Sequence, residues 1–296
     1  MPTYPFMQVD AFTDRPLGGN PCAILFDTDE MDSETMLAVA REMNLSETAF
    51  VRNSQVADFG ARYFTPAEEI PLAGHPTIAT TFALVDSGRL KITNSHSRIT
   101  LELQVGTIPV DIFIGEGKVP HIVMSQQKPR FLSTYAPETV MKVFGLTVDD
   151  ALLDFPLQTV STGTPQLMIP VRNLDVLQRA QVDIEAYSQL RSSSDFFSPH
   201  LFCLEGVTKQ GNTFARHFGV PPDTPEDPFT GSATGGMVAY LWRYGLIEEP
   251  TFTAEQGHRM NRPGVASVEV IGPRDDITTV KVGGAAVTVL HGEIMI

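Results

Sequence analysis

Three side chains have the chemistry to move a proton, and each sits in a setting that suits the task. Glu47 lies in Asn44-Leu45-Ser46-Glu47-Thr48-Ala49-Phe50, ahead of an apolar run that reads as a strand. A glutamate that opens a buried strand has its carboxyl pushed upward by desolvation, which suits a group that must take and return a proton. The same residue also reads as a carboxylate capping the turn after the preceding helix. His75 directly follows Gly74 at an expected helix start, where the positive end of the dipole favours a neutral imidazole. It reads either as a site residue or as a satisfied structural histidine. Asp227 precedes Ser232 by one short loop and reads as a partner that orients His75 or as a loop cap. Asn20, after Gly18-Gly19, either lines the site or supplies the turn.

These residues lie on an internal repeat. Pro71-Leu72-Ala73-Gly74-His75-Pro76-Thr77 returns as Pro228-Phe229-Thr230-Gly231-Ser232-Ala233-Thr234, and each copy runs into an apolar, helix-length segment that stops at a glycine. Gly19-Asn20-Pro21-Cys22 is answered by Gly163-Thr164-Pro165-Gln166, and Ala61-Arg62-Tyr63-Phe64 by Ala215-Arg216-His217-Phe218. Matches in one order imply two related halves with a ligand cleft between them. Small residues ahead of a helix leave its first N–H groups open to an approaching anion. Gly74 and Thr77 in one half, and Gly231, Ser232 and Ala233 in the other, are therefore the expected substrate-binding positions together with Asn20. In this alignment Glu47 falls opposite Pro199, so the carboxylate belongs to one half only.

The elements that hold these positions read from pattern. Asp32 or Ser33 caps a helix through Met43, with Met36, Ala40 and Met43 facing inward. Residues 98–124 alternate between apolar and polar, as antiparallel strands do. Ile122-Val123-Met124 opens the second half, Pro137 starts a short helix ended by Gly145, and another helix spans Asp183–Leu190. Residues 219–227 read as a Pro-rich loop. The two repeated helices, 76–87 and 233–244, are apolar on nearly every side and must be buried. The expected fold is α+β, a curled and mainly antiparallel sheet around a central helix, built twice. The domains are 1–116, with a returning strand at 287–296, and 117–286, the boundary lying near Gly115–Gly117.

Composition narrows the function. A net charge of −14 over 296 residues disfavours nucleic acid and anionic membrane as partners. The first residues lack a basic segment and an apolar core, so no secretory signal is expected and the expected compartment is the cytoplasm. Cys22 and Cys203 lie in apolar runs and read as buried thiols. No metal is expected, because the seven histidines show no ligand spacing, and no cofactor, because no glycine-rich nucleotide motif follows a strand. Ser232 lacks the elbow context of a serine nucleophile.

Asp10-Ala11-Phe12 with Gly18-Gly19-Asn20-Pro21, Asn44-Leu45-Ser46-Glu47-Thr48, Ala73-Gly74-His75-Pro76-Thr77 and Glu226-Asp227-Pro228-Phe229-Thr230-Gly231-Ser232-Ala233 resemble the PhzF-type phenazine-biosynthesis family. The resemblance runs from Asp10 to the last strand. It implies the diaminopimelate epimerase-like fold, with two pseudo-symmetric domains, and a homodimer. It further implies that Glu47 is the general acid/base, that His75, Asp227 and Ser232 support it, and that the Gly74 and Gly231 turns hold a carboxylate. Epimerases of this fold carry a cysteine before each of those glycines, whereas this chain has Ala73 and Thr230. The expected activity is cofactor-independent isomerisation of a small carboxylated metabolite. The competing expectation is a non-catalytic protein that binds such an acid.

Overall fold

The computed structural model describes residues 1–115 and 119–296, and the chain divides into two compact units, Met1–Ser125 with Val282–Ile296 and Gln126–Lys281. The expected boundary at Gly115–Gly117 falls partly outside the described residues.

The first unit contains β1 (Thr3–Ala11), β2 (Asn20–Leu25), α1 (Ser33–Met43), β3 (Glu47–Arg52), β4 (Phe59–Phe64), β5 (Glu69–Ile70), α2 (Gly74–Asp86), β6 (His96–Leu103), β7 (Gly106–Phe113) and β8 (His121–Ser125). β1 pairs antiparallel with β2, β2 parallel with β3, β3 antiparallel with β4, β4 parallel with β6, and β6–β7–β8 continue as an antiparallel meander. The C-terminal strand, Ala286–Met295, runs antiparallel to β1. β8 therefore belongs to the first unit rather than opening the second. Its Ile122 and Met124 alternate inward and are buried, and β7 supplies their hydrogen-bonded neighbour.

α2 is buried at every position from Gly74 to Leu84. It packs against β1, β2, β3, the C-terminal strand and β8. The C-terminal strand and β8 lie at opposite ends of the strand order, so the sheet must curl around the helix. α1 covers the outer face, where Met36, Val39 and Ala40 meet Leu25, Phe50 and Phe64. Asp32 caps α1 through a bond from the Thr35 N–H (2.7 Å), and Asn44 in the left-handed region ends it. With a helix on each face, every residue of β2 is buried, which explains its continuous apolar run. The turn into β2 needs Gly19, because a Cβ there would stand 2.0 Å from the Ala11 carbonyl oxygen.

The second unit contains β9 (Arg130–Tyr135), α3 (Pro137–Val140), β10 (Leu157–Ser161), β11 (Pro165–Pro170), α4 (Leu174–Arg179), α5 (Ile184–Ser192), β12 (Ser198–Cys203), β13 (Thr213–Phe218), β14 (Glu226–Asp227), α6 (Gly231–Arg243), β15 (Thr251–Gln256), β16 (Gly264–Ile271) and β17 (Thr279–Gly284), which runs on past the unit's end at Lys281. Its pairings repeat the first unit: β10 with β11 antiparallel, β11 with β12 parallel, β12 with β13 antiparallel, β13 with β14 antiparallel, β13 with β15 parallel, β15 with β16 antiparallel. α6 is buried from Gly231 to Leu241 and packs on β10, β11, β12 and β16. α4 is an addition to the sequence reading, started by Asn173, whose side chain accepts from the Val176 N–H. The stretch read as a loop from 219 to 227 ends in the short strand β14, because Glu226 and Asp227 pair with Phe218 and His217.

The repeat extends to side chains. Arg62 pairs with Glu69 through Nε (2.8 Å) and Nη2 (2.6 Å) and lies over the Phe64 ring. Arg216 pairs with Glu226 in the same way (2.8 Å each) and lies over Phe218. Both central helices begin earlier than the apolar pattern suggests, at Gly74 and Gly231, because Ala73 and Thr230 are the extended N-cap residues.

Candidate active site

In the first unit, strand pairing and the α2 start bring three of the expected residues together. The parallel β2–β3 register sets Glu47 beside Cys22, two residues beyond Asn20 on β2. α2 starts so that His75 is its second residue, 2% exposed. Its Nδ1 lies 3.2 Å from Glu47 Oε2 and 3.0 Å from Asn20 Nδ2. Glu47 keeps 17% of its side chain exposed and Asn20 none.

One ring nitrogen thus faces two groups, and its proton depends on theirs. An ionised Glu47 takes an N–H from Nδ1, whereas a protonated Glu47 or the Asn20 amide offers an N–H or O–H to the Nδ1 lone pair. Because the Asn20 amide nitrogen only donates, its bond to Nδ1 holds while that atom is unprotonated, and an Nδ1–H facing an ionised Glu47 requires the amide to turn its oxygen inward. Cys22, next to Glu47, is held as a thiol well above its ordinary range, first by burial and then by the glutamate's charge.

Thr77 is fully buried. Its hydroxyl donates to the Ala73 carbonyl (2.8 Å) and so accepts from the Tyr63 hydroxyl (3.1 Å). Neither Ala73 nor Thr230 makes a side-chain cap to its helix, and neither helix carries an acidic residue in its first turn.

In the second unit, Asp227 sits on β14 directly opposite His217. Thr230 Oγ1 donates a hydrogen bond to Asp227 Oδ2. Gln256, 1% exposed, takes the Thr230 N–H on Oε1 (3.1 Å) and gives Nε2–H to the Asp227 carbonyl (2.7 Å). Gly231 opens α6 with its carbonyl held by Gln126 Nε2 (2.9 Å), followed by Ser232, 7% exposed, and Ala233, fully buried.

The register corrects one alignment. Tyr63 pairs with Ala49 and its counterpart His217 with His200, so the residue equivalent to Glu47 is Ser198, not Pro199. The first unit's β2–β3 pair Cys22–Glu47 and the second unit's β11–β12 pair Gln166–Ser198 agree with this. Comparison of single residues along an apolar stretch cannot resolve a slip of one position, but pairing can. The asymmetry stands: the second unit has a hydroxyl where the first has a carboxylate.

Ser198, His217 and Gln256 were not among the expected site residues. For His217 the signal was present, as a position where the two halves differ in chemistry, whereas the counterparts of Ser198 and Gln256 emerge only from the strand register. Ser198 Oγ donates to Gln166 Oε1 (2.7 Å), so His217 Nε2 donates to Ser198 (2.7 Å), leaving His217 Nδ1 to accept from His200 Nδ1 (3.3 Å).

Both histidines are held neutral. Burial lowers His217 to about 4, opposed by the charge of Asp227, and burial followed by the proximity of His217 lowers His200 well below its usual value. The unfolded chain binds these protons near pH 6.5 and the folded chain does not, so stability is lost as the pH falls from about 6.5 towards 4. Carboxylates such as Asp195, held at about 2 against the desolvation that burial imposes by bonds from Thr159, Tyr135 and Ser133, lose their contribution only below that window. The urea midpoint should therefore drop between about pH 7 and pH 4.5, His217 alone contributing on the order of 2 kcal/mol. His217→Gln should flatten that slope. An unchanged slope in the variant would show that His217 does not set it.

The chain matches the phenazine biosynthesis-like protein family over residues 9–292. It is 32% identical to the trans-2,3-dihydro-3-hydroxyanthranilate isomerase of Pseudomonas fluorescens, over 98% of this chain and 99% of that protein. It is also 32% identical to an uncharacterized isomerase of Bacillus subtilis, over 89% of each. A PhzF-family crystal structure from Bacillus anthracis superimposes with a TM-score of 0.88 at 32% identity and full coverage of both chains. A hydroxyproline epimerase from Agrobacterium vitis shares the fold alone, at a TM-score of 0.70 and 11% identity, over 99% of this chain and 92% of that one. With Ala73 and Thr230 at the positions before its two helix glycines, this chain is an isomerase of the phenazine biosynthesis-like family, with the epimerase-like fold and without a thiol at either position.

Proposed function

We propose that the protein moves a proton between carbons of a small carboxylated metabolite, without a cofactor, and that Glu47 is its single general acid/base. The observation that carries this reading is the Glu47–His75 pair at 3.2 Å, set against the hydroxyl of Ser198 at the equivalent position of the second unit. A carboxylate in one copy of the repeat and a hydroxyl in the other is what a proton-moving role confined to one unit requires. His75 and Asn20 position Glu47 and adapt to its two protonation states. Asp227 supports the substrate, and Gly74, Thr77, Gly231, Ser232 and Ala233 form the binding positions for its carboxylate. A helix start contributes about 0.3–1 kcal/mol to holding an anion.

Alanine and threonine cannot take a proton from carbon, so a two-thiol exchange is replaced by one carboxylate that takes the proton and returns it elsewhere. The proposal includes a cytoplasmic homodimer. Among the described residues no helix is long and apolar enough to cross a membrane.

The test is a screen of small carboxylic acids for isomerisation in D₂O with no added cofactor, starting from trans-2,3-dihydro-3-hydroxyanthranilate, the acid in the relatives' names. Rearrangement without added cofactor is expected, the moved hydrogen returning in part as substrate hydrogen and in part as solvent deuterium. Rearrangement that requires an added nucleotide or metal would remove the cofactor-free reading.

A further inference from the structure

The internal repeat isolates a polar trio whose counterpart is apolar. Because Tyr63 corresponds to His217, its partner Ile70 corresponds to Asp227. Ala73 and Thr230 are the N-caps of the two central helices. The parallel pairings place Gly60 beside Glu102 and Phe214 beside Glu255, which makes Leu103 the counterpart of Gln256. Ile70, Ala73 and Leu103 are all buried, at 7%, 3% and 5% exposure. The same backbone therefore folds with three apolar side chains at these positions. In the second unit they are replaced together by Asp227, Thr230 and Gln256, joined by hydrogen bonds.

Gln256 is the centre of that trio. Its Oε1 takes the Thr230 N–H, and its Nε2 gives to the Asp227 carbonyl and lies 3.3 Å from Thr230 Oγ1. The Thr230 hydroxyl, receiving from Gln256, has its own proton left for Asp227 Oδ2. Both ends of the four-residue turn that carries Asp227 into α6 are thus held by one amide. The amide is itself fixed on β15, between β13 and β16.

We infer that Gln256 is a positioning residue that sets the Asp227 carboxylate and the Thr230 hydroxyl for the reaction. The inference rests on the proposed role of Asp227. Nothing in it requires Gln256 to touch substrate. An amide serves where a leucine would fold as well, because only an amide supplies one acceptor and two donors to the turn. Fixing a supporting group to within a fraction of an ångström is worth far more to turnover than to binding.

The test compares Gln256→Met, which keeps the shape and removes the bonds, with Asp227→Asn and with the triple variant Asp227→Ile, Thr230→Ala, Gln256→Leu, which installs the first unit's own trio. Gln256→Met should speed hydrogen exchange at the Thr230 amide at least tenfold. With trans-2,3-dihydro-3-hydroxyanthranilate as probe it should lower kcat by roughly 10- to 100-fold while KM moves by less than about threefold. The triple variant should fold with the wild-type circular dichroism spectrum, since it restores a trio the fold already accepts. If Asp227→Asn lowers turnover and Gln256→Met leaves kcat at the wild-type level, the inference is overturned and the role of Asp227 stands. If Asp227→Asn itself turns over at the wild-type rate, the proposed function loses Asp227. In that case, or if the wild type does not act on this acid, the Thr230 amide decides for Gln256, and unchanged exchange there overturns the inference. Should Gln256→Met not fold while the triple variant does, the bonds are confirmed as the trio's linkage; if neither folds, the polar trio is structural and the inference fails.

Discussion

Glu47→Gln is expected to lose roughly 10²–10⁴-fold in the rate of proton exchange while keeping its affinity for a carboxylate ligand. Glutamine fills the same space and offers a carbonyl to His75 Nδ1, 3.2 Å from the native carboxyl, so the pairing with the α2 start survives. It cannot accept a proton from carbon. Affinity and exchange must be read on the same preparation, since a drop in both would report a displaced strand. The contrasting pair is His75→Asn and Asp227→Asn, which should lower turnover without abolishing it if, as proposed, each acts by placing other groups. A Glu47→Gln enzyme with wild-type exchange, alongside an inactive His75→Asn, would assign the proton to the imidazole.

The largest effect on stability is expected at Arg216. Its guanidinium, 5% exposed, binds both oxygens of Glu226 and donates from Nη1 to the Leu177 (3.1 Å) and Ala180 (2.7 Å) carbonyls at the end of α4. Arg216→Ala leaves a shielded carboxylate and two carbonyls without these donors, and removal of one partner of such a pair typically costs about 3–5 kcal/mol. The repeat supplies an internal control. Arg62 makes the same pair with Glu69 but is 21% exposed and its other bond goes to the Ser33 hydroxyl, so Arg62→Ala should cost about 1 kcal/mol. Native-state hydrogen exchange at β13 and β4 reads the two separately. Equal losses at both would mean that burial does not set the worth of this pair.

The repeat, the buried helices and Glu47 as a candidate were legible because each leaves a local mark: a glycine turn, an unbroken apolar run, an acid ahead of a strand. That His75 supports Glu47 was implied only by the family resemblance, the residues alone suggesting Asp227 as the partner of His75. Strand membership was less legible. Ile122-Val123-Met124 looks the same whether it opens one unit or closes another, since only its hydrogen-bonded neighbour distinguishes the two. The slip from Ser198 to Pro199 has the same origin, because both residues lie in one buried strand and alternation there carries no sign of face. Gln256 was invisible for a different reason. It ends β15, and its worth lies in bonds to a turn that is distant in sequence. The local pattern reports burial and turns, whereas a side chain's partners across the sheet are set by register.

The proposal that one carboxylate carries the proton is tested most directly by the fate of that proton in D₂O. A monoprotic base that takes hydrogen from one carbon and returns it to another hands back part of what it took before solvent replaces it. Glu47, four-fifths shielded and paired with His75, is placed to slow that replacement. The product of the earliest turnovers, examined by mass and by deuterium NMR, should retain a measurable fraction of substrate-derived hydrogen at the new position, rising as temperature and buffer concentration fall. Product carrying solvent deuterium alone, at every conversion and in every buffer, would mean that the returning proton comes from a second group and would contradict the single-carboxylate account.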